Sequence, residues 1–438
     1  MDDLHEPEGI LKEAQERAAV LYGAQQSFFL VNGSTAGVLA AISAAVQKGG
    51  TILMQRASHR SAYHAVQLRN LKVRYLYGGS SGTESGSMAY GIGRVVTLEE
   101  IRLAVEADPA VEAVFLTSPS YDGFSADLEQ IADYLHTKDI PLLVDAAHGA
   151  HLGFSEDFPQ SAVQAGADVV VMSVHKTLPA PTQTALLHLT GRRIPAERIQ
   201  RFLDIYQTSS PSYPLMAAID DCVQRVSGWD NGVWKGFLER RKRLSEQLHR
   251  LERIGVWDSF GRSHVPGMQD RQAEDLKADM DMPEPGKILL FPPENENGVV
   301  LGRWLAEQGV QCEMALPAYV LLICTVCDTE AGYEKLAGVL RQADHLSFAE
   351  TEKAKTKALF RVLSKEAADQ TEMTIGTAAE LPAETVDPAG AAGRISAAFV
   401  SVYPPGQPIL VPGERITEAK VKEIEALLLA GAAVQGML

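Results

Sequence analysis

The sequence predicts an α/β protein: a mainly parallel seven-stranded sheet flanked by helices in a large N-terminal domain, followed by a smaller α+β domain. Three observations carry this reading. Between Ser27 and Leu189 seven short apolar runs alternate with amphipathic stretches, the pattern of strands joined by crossover helices. After residue 252 the alternation changes to fewer strands in a different order. Finally, 438 residues at 46% hydrophobic and 22% charged suffice for two cores and exclude disordered and collagen-like classes.

Taken in order, the strands expected in the large domain are Ser27–Val31, Thr51–Met54, Val73–Tyr77, Ala113–Thr117, Pro141–Asp145, Asp168–Ser173 and Thr184–Leu189. Helices lie between them, such as Ser34–Val46 after a Gly-Ser-Thr turn and Leu128–Thr137 ahead of a proline-opened strand. From Pro211 to Glu252 strand signals vanish, and the run LERRKRLSEQLHRLERIG reads as the solvated face of a connecting helix. A polar stretch, Gln269–Gly286, precedes the second pattern: strand Ile288–Phe291, helix Gly298–Glu307, strands Gln311–Met314 and Tyr319–Cys324, and helix Thr329–Ala343. The divisions expected are 1–252 for the large domain with its connecting helix, 253–345 for the small domain, 346–390 for a variable linker and 391–438 for a closing segment.

Charge and cysteine content narrow the partners. The net charge of −16 opposes nucleic acid and anionic membrane surfaces, and would attract a cationic small molecule. No apolar run approaches the roughly 20 residues of a membrane helix, and the N-terminus lacks a secretory signal, so a cytoplasmic location is expected. Cys324 and Cys327 form a CxxC within YVLLICTVC, read as a buried strand rather than a redox or metal site.

Three segments point to chemistry. In SVHKTLPAPTQT, Ser173, His175 and Lys176 follow the strand DVVVM, at the end where open α/β sheets bind ligands. A lysine placed there can lose its proton and form a Schiff base with a carbonyl, although a solvated loop lysine fits the same pattern. The strand LLVD ends in Asp145, one strand and one helix ahead of the lysine. A buried carboxylate needs a cation, which the protonated nitrogen of pyridoxal phosphate (PLP) would supply; an N-cap is the alternative. The third segment, FFLVNGSTAG, offers Ser34 and Thr35 at a strand-to-helix turn suited to a phosphate, or to a capping box. Phosphate turn, aspartate and lysine, in that order, describe the PLP enzymes of the aspartate-aminotransferase fold (fold type I).

On these residues the sequence resembles the Orn/Lys/Arg decarboxylase family, in particular its short bacterial arginine decarboxylase-like members without a wing domain. The resemblance runs through DDLHEPEGILKEAQ (2–15), FFLVNGSTAG (28–37), LTSPSYDG (116–123), DAAHGAH (145–151), SVHKTLPAPTQ (173–183), TSSPSYPLMAAID (208–220) and FVSVYPPGQPILVPGE (399–414). It implies that Lys176 binds PLP covalently and that Ser173, His175, Ser34 and Thr35 lie at or near its phosphate. It further implies that His59 stacks on the cofactor ring, that Asp145 pairs with the ring nitrogen, and that Ala147 packs on the other face with His148 close by. Thr208 and Ser209 would reach the neighbouring subunit's cofactor, making the enzyme a homodimer or higher homo-oligomer with shared active sites.

The activity so implied is decarboxylation of a basic L-amino acid, arginine first and then lysine or ornithine, with Lys176 or His175 returning a proton to the α-carbon. Glu313 and Asp122 are candidates for binding the substrate's distal cation. An aminotransferase or lyase of the same fold is the rival, for which Arg394 would clamp the α-carboxylate. The sequence departs from the family pattern at Ala146, where an acidic residue is usual, and at Pro181 and Pro214. Family members also carry a His-Pro-Gly-His-Lys motif upstream of where this sequence begins, so a PLP-binding protein left inactive for want of it is the alternative from another class.

Overall fold

The computed structural model describes residues 2–78, 95–262, 284–293, 295–348, 371–403 and 406–436. Most of the expected polar stretch 269–286 and much of the expected linker 346–390 lie outside the described residues. Two compact units divide the chain. One comprises Met1–Gly78, Val96–Ser120 and Ser125–Lys235; the other takes up Tyr121–Phe124 and everything from Gly236.

In the first unit helix α1 (Ile10–Tyr22) leads to β1 (Gln26–Leu30), α2 (Gly33–Ala45), β2 (Thr51–Gln55), α3 (Arg60–Arg69), β3 (Lys72–Leu76), α4 (Leu98–Ala107), β4 (Val111–Thr117), α5 (Leu128–Thr137), β5 (Leu142–Asp145), β6 (Val169–Ser173), the single turn α6 (Val174–Thr177), β7 (Ala185–Leu189), α7 (Ala196–Tyr206) and α8 (Tyr213–Ser227). All seven expected strands enter one sheet, ordered β1-β7-β6-β5-β4-β2-β3. Pairings from β6 to β3 are parallel, while β7 runs antiparallel to both its neighbours. Strands β2, β5, β6 and β7 are buried along their whole length, because helices cover both faces; this is why they read as unbroken apolar runs. β3 lies at one edge and alternates exposed with half-buried residues.

β1 forms the other edge, and side-chain amides close it. The Phe29 N–H donates to Gln15 Oε1 on α1 at 2.9 Å, and the Val31 N–H donates to Gln207 Oε1, also at 2.9 Å. Gln207 Nε2 in turn donates to the Phe29 carbonyl at 3.2 Å. The Phe29 N–H and carbonyl and the Val31 N–H are thus bonded on the outward side without a further strand.

Register sets the working edge of the sheet. Thr117 is paired with Asp145, Asp145 with Val171, Ser173 with Ala185, and Ala185 with Leu30. The ends of β4, β5, β6 and β1 therefore open on one rim, which is where the three chemistry-bearing segments begin.

Helix α9 (Asn231–Leu248) carries the chain into the second unit, with β8 (Gly255–Asp258), β9 (Gly261–Arg262), β10 (Lys287–Phe291), α10 (Gly298–Glu307), β11 (Met314–Ala315), β12 (Val320–Ile323) and α11 (Glu330–Ala343). Its sheet, β11-β12-β10-β8-β9, is antiparallel throughout. Phe124, Trp257, Leu289, Phe291, Tyr319 and Leu321 belong to its core. The closing segment adds α12 (Ile375–Ala379), β13 (Val400–Val402), β14 (Gln407–Leu410), α13 (Glu418–Leu429) and β15 (Val434–Gln435), the three strands forming a small antiparallel sheet.

Two sequence expectations are corrected in this unit. Arg241, in the basic run read as solvated, is fully buried: it donates to Asp258 Oδ2 at 3.2 Å and to the Pro285 carbonyl at 2.9 Å. The apolar run YVLLICTVC does not stay a strand to its end. Strand β12 stops at Ile323, Cys324 is buried just past it, and Cys327 is exposed in a turn where Asp328 accepts the Thr325 N–H. Among the described residues no helix is long and apolar enough to cross a membrane.

Candidate active site

The turn between β1 and α2 is built for close approach. Gly33 has φ +70°, a conformation that glycine adopts without strain, and its N–H donates to the Gln183 carbonyl at 3.0 Å. Gln183 itself holds φ +85° and donates from Nε2 to the Val31 carbonyl at 2.7 Å, bracing the turn from the loop after Lys176. A Cβ on Gly37 would stand 2.6 Å from Leu30 Cδ1 and 2.9 Å from Val171 Cγ1, so only glycine lets α2 lie this near to β1 and β6. The N-cap residue Asn32 makes no side-chain hydrogen bond to the helix, so no side chain caps the amides that follow Gly33 at the positive end of the α2 dipole. Ser34 Oγ lies 2.6 Å from Ser173 Oγ at the end of β6; Thr35 is exposed.

Asp145 terminates β5 and is 4% exposed. Its Oδ1 accepts the Ala147 N–H at 3.0 Å, the kind of bond that the N-cap alternative expects. Burial raises the pKa of this carboxyl above the ordinary range, against the opposing pull of Lys176 and of that amide. Ala147 and His148 follow in the same turn, both buried. Lys176, on the single turn α6, is half-buried and places Nζ 3.1 Å from His148 Nε2.

His59 caps α3, its Nδ1 accepting the Ser61 N–H at 3.2 Å; an acceptor Nδ1 leaves the ring proton on Nε2. Burial, then the charges of Lys176, Arg60 and His64, push its pKa down to about 4, so the ring is neutral at physiological pH. His175 donates from Nδ1 to the Thr184 carbonyl at 2.9 Å and anchors the lysine turn.

Thr208 and Ser209 are exposed just past α7, and the Thr208 N–H donates to Asn32 Oδ1 at 3.3 Å, which ties this loop to the β1–α2 turn of its own chain. His5 adds a second tie: Nδ1 faces Asp204 Oδ1 and Nε2 faces the Thr208 carbonyl, each at 3.0 Å. Two acceptors can both be satisfied only by an imidazolium. Sequence reasoning missed Asn32, Gln183, Gln207 and His5, since each acts through a partner far away in the chain and no local spacing signals it. In the second unit Glu313 accepts from Tyr121 Oη and Asp122 from Tyr319 Oη, both at 2.6 Å. Arg394 is exposed and ion-paired with Glu384, an engagement that competes with any carboxylate clamp.

Family comparison gives this arrangement its context. The model described as Orn/Lys/Arg decarboxylase, major domain, matches residues 1–332, and that described as Orn/Lys/Arg decarboxylase, C-terminal domain, matches residues 353–436. The chain belongs to the Orn/Lys/Arg decarboxylase family. Its relatives include the uncharacterized protein YaaO of Bacillus subtilis (strain 168), 36% identical over 100% of this chain and 85% of its own. An arginine decarboxylase of Bacillus anthracis is 31% identical over 100% of this chain and 84% of its own. Among solved structures the Francisella novicida lysine decarboxylase LdcF superposes with a TM-score of 0.80 at 19% identity, covering 98% of this chain and 68% of that one. The protein is thus a decarboxylase, as the family resemblance implies, of the PLP-dependent aspartate-aminotransferase fold to which the order of phosphate turn, aspartate and lysine points.

Proposed function

We propose that this decarboxylase binds PLP on Lys176 and removes the α-carboxyl group of a basic L-amino acid, arginine first and then lysine or ornithine. The observation that carries the proposal is the placing, on one rim of the sheet, of a buried carboxylate at the end of β5 and of Lys176 on the turn after β6. The residues suit the cofactor. A phosphate fits the uncapped N-terminus of α2 with the hydroxyls of Ser34, Thr35 and Ser173. A protonated pyridine nitrogen gives the buried Asp145 the cation that its burial demands. Neutral His59 and the small Ala147 are suited to flank an aromatic ring. When bound, PLP supplies an electron sink for the carbon that loses carbon dioxide.

The protein's own groups then divide the work. Lys176 Nζ would hold the cofactor through its aldehyde carbon. Asp145 would hold the ring nitrogen protonated through its negative charge. Lys176 or His175 supplies the proton to the α-carbon. The arginine decarboxylase named among the relatives, together with the net charge of −16, favours a cationic substrate. We further propose that two copies pair, each donating Thr208 and Ser209 to the other's phosphate site.

Borohydride reduction of the PLP-loaded protein should fix the cofactor on one peptide containing Lys176. Incubation with arginine, lysine and ornithine in turn should release carbon dioxide and the matching amine. Lys176→Ala should abolish both while the protein stays folded. Trapping on another lysine, or transamination products in place of amine, would overturn the assignment.

A further inference from the structure

A lysine that is to bond a carbonyl carbon must first be a neutral amine, whereas an unperturbed lysine keeps its proton to about pH 10.4. The surroundings of Lys176 contain a group placed to take that proton. Its Nζ lies 3.1 Å from Nε2 of His148, whose side chain is 3% exposed. Two nitrogens in such contact need one lone pair between them. An ammonium facing an imidazolium offers none, so the contact belongs to states in which the pair holds one proton fewer than two separate cations would.

Asp145 and His59, both electrostatically coupled to Lys176, do not duplicate this role. Asp145 draws the proton toward Lys176, since its negative charge stabilises the ammonium. The Nδ1 of His59 is occupied by the Ser61 N–H, and Lys176, Arg60 and His64 all disfavour a positive charge on that ring. His148 is also firmly placed. The Gly149 N–H donates to the Ala146 carbonyl at 2.8 Å, closing the turn around it, and a Cβ on Gly149 would meet Pro119 Cδ at 2.8 Å.

We infer that His148 is the proton partner of Lys176, receiving the Nζ proton on Nε2 as the lysine becomes a free amine and returning it when the amine is to be a cation. The step is a single proton transfer: ammonium and neutral imidazole become amine and imidazolium, with no bond to carbon altered. His148 acts through the lysine and is therefore a positioning residue. The need for a neutral Lys176 rests on the function proposed above, but the shared proton is measurable without cofactor.

The test is trace acetylation of the cofactor-free protein with acetic anhydride across pH 5.5–9, reading the Lys176 peptide by mass spectrometry against exposed Lys48 as reference. A shared proton gives the parent a two-step profile, because the amine becomes available once in the singly protonated pair and again when the last proton leaves. His148→Gln keeps an acceptor at that place but cannot take the proton. It should give a single step and lower Lys176 labelling at pH 6.5 by about tenfold, the equivalent of one pH unit. A one-step profile in the parent overturns the inference without any variant. So does a His148→Gln profile within twofold of the parent's, with His148→Asn standing in if the glutamine variant melts early. Borohydride trapping of PLP on the same peptide is run in parallel. Failure of trapping in the parent sinks the cofactor reading, whereas trapping with unchanged labelling sinks only the role of His148.

Discussion

Replacing Asp145 by asparagine separates what this residue does for the fold from what it does for the cofactor. The shape is kept, and the new carboxamide oxygen can still accept the Ala147 N–H that Oδ1 accepts at 3.0 Å. Only the charge goes. Burial raises the folded-state pKa of Asp145 above its unfolded value, so the folded chain binds this proton more tightly than the unfolded one. The resulting stabilisation is fully present below the unfolded pKa and is lost as pH rises through the folded value. At pH 7 the carboxylate is therefore a net cost to the cofactor-free protein, and Asp145→Asn should melt at or above the parent temperature. For PLP the sign reverses. Charge-assisted hydrogen bonds contribute about 1.5–3 kcal/mol and neutral ones about 0.5–1.5 kcal/mol, so the loss is about 1–2 kcal/mol. The dissociation constant for PLP should rise roughly 5- to 30-fold, and turnover at saturating PLP should fall further, because the ring nitrogen is no longer held protonated. Titration of the cofactor-free protein by absorbance, with calorimetric melting of the same samples, reads both. A variant that binds PLP within twofold of the parent and turns over equally would refute the pairing.

Three other outcomes follow from the geometry. Burial lowers the pKa of His5, but its bonds to the Thr208 carbonyl and to Asp204 outweigh that and leave the folded value raised. Its stabilisation is present below about pH 6.5 and fades above the raised value, so His5→Gln should lower the melting temperature more at pH 6 than at pH 8.5; an equal loss at both would contradict the two-acceptor reading. Gly37→Ala gains about 1 kcal/mol in helix propensity and loses about 1–3 kcal/mol to overpacking against Leu30 and Val171. The net effect on melting should be small, while displacement of the α2 turn weakens PLP binding severalfold; unchanged PLP affinity would show that the turn tolerates the shift. Mixed dimers of Lys176→Ala with a Thr208→Ala and Ser209→Ala double variant should regain part of the PLP binding lost by each alone, and verified heterodimers without recovery would place those hydroxyls in cis.

The sequence was most legible where burial is two-sided. Strands β5 and β6 are apolar from end to end and stop at a polar residue, Asp145 or Ser173, so that both the element and its chemistry stand out in the chain. Other boundaries moved for local reasons. The helical stretch expected from Pro211 to Glu252 breaks after Ser227, where Gly228 to Asp230 separate α8 from α9. The strand expected at Gln311–Met314 is paired over Met314–Ala315 instead, with the Glu313 N–H still donating to the Leu321 carbonyl at 3.0 Å just ahead of it. Strands β8 and β9 carry too little apolar sequence to announce themselves. What stayed hidden was tertiary: nothing in the spacing of His148 and Lys176 says that their nitrogens touch, and nothing around His5 foretells Thr208.

The glutamine clasp along β1 also restricts how copies of this enzyme can associate. An exposed edge strand invites another strand to continue the sheet, whether in a functional pair or in an aggregate. Here a visiting strand would have to displace three side-chain bonds from Gln15 and Gln207, each contributing about 0.5–1.5 kcal/mol, before making any of its own along that stretch. A continuous sheet running through β1 from one subunit to the next is thereby disfavoured. Among the described residues the β3 edge has no such clasp along it, so of the two edges of this sheet β1 is the one guarded by side-chain amides.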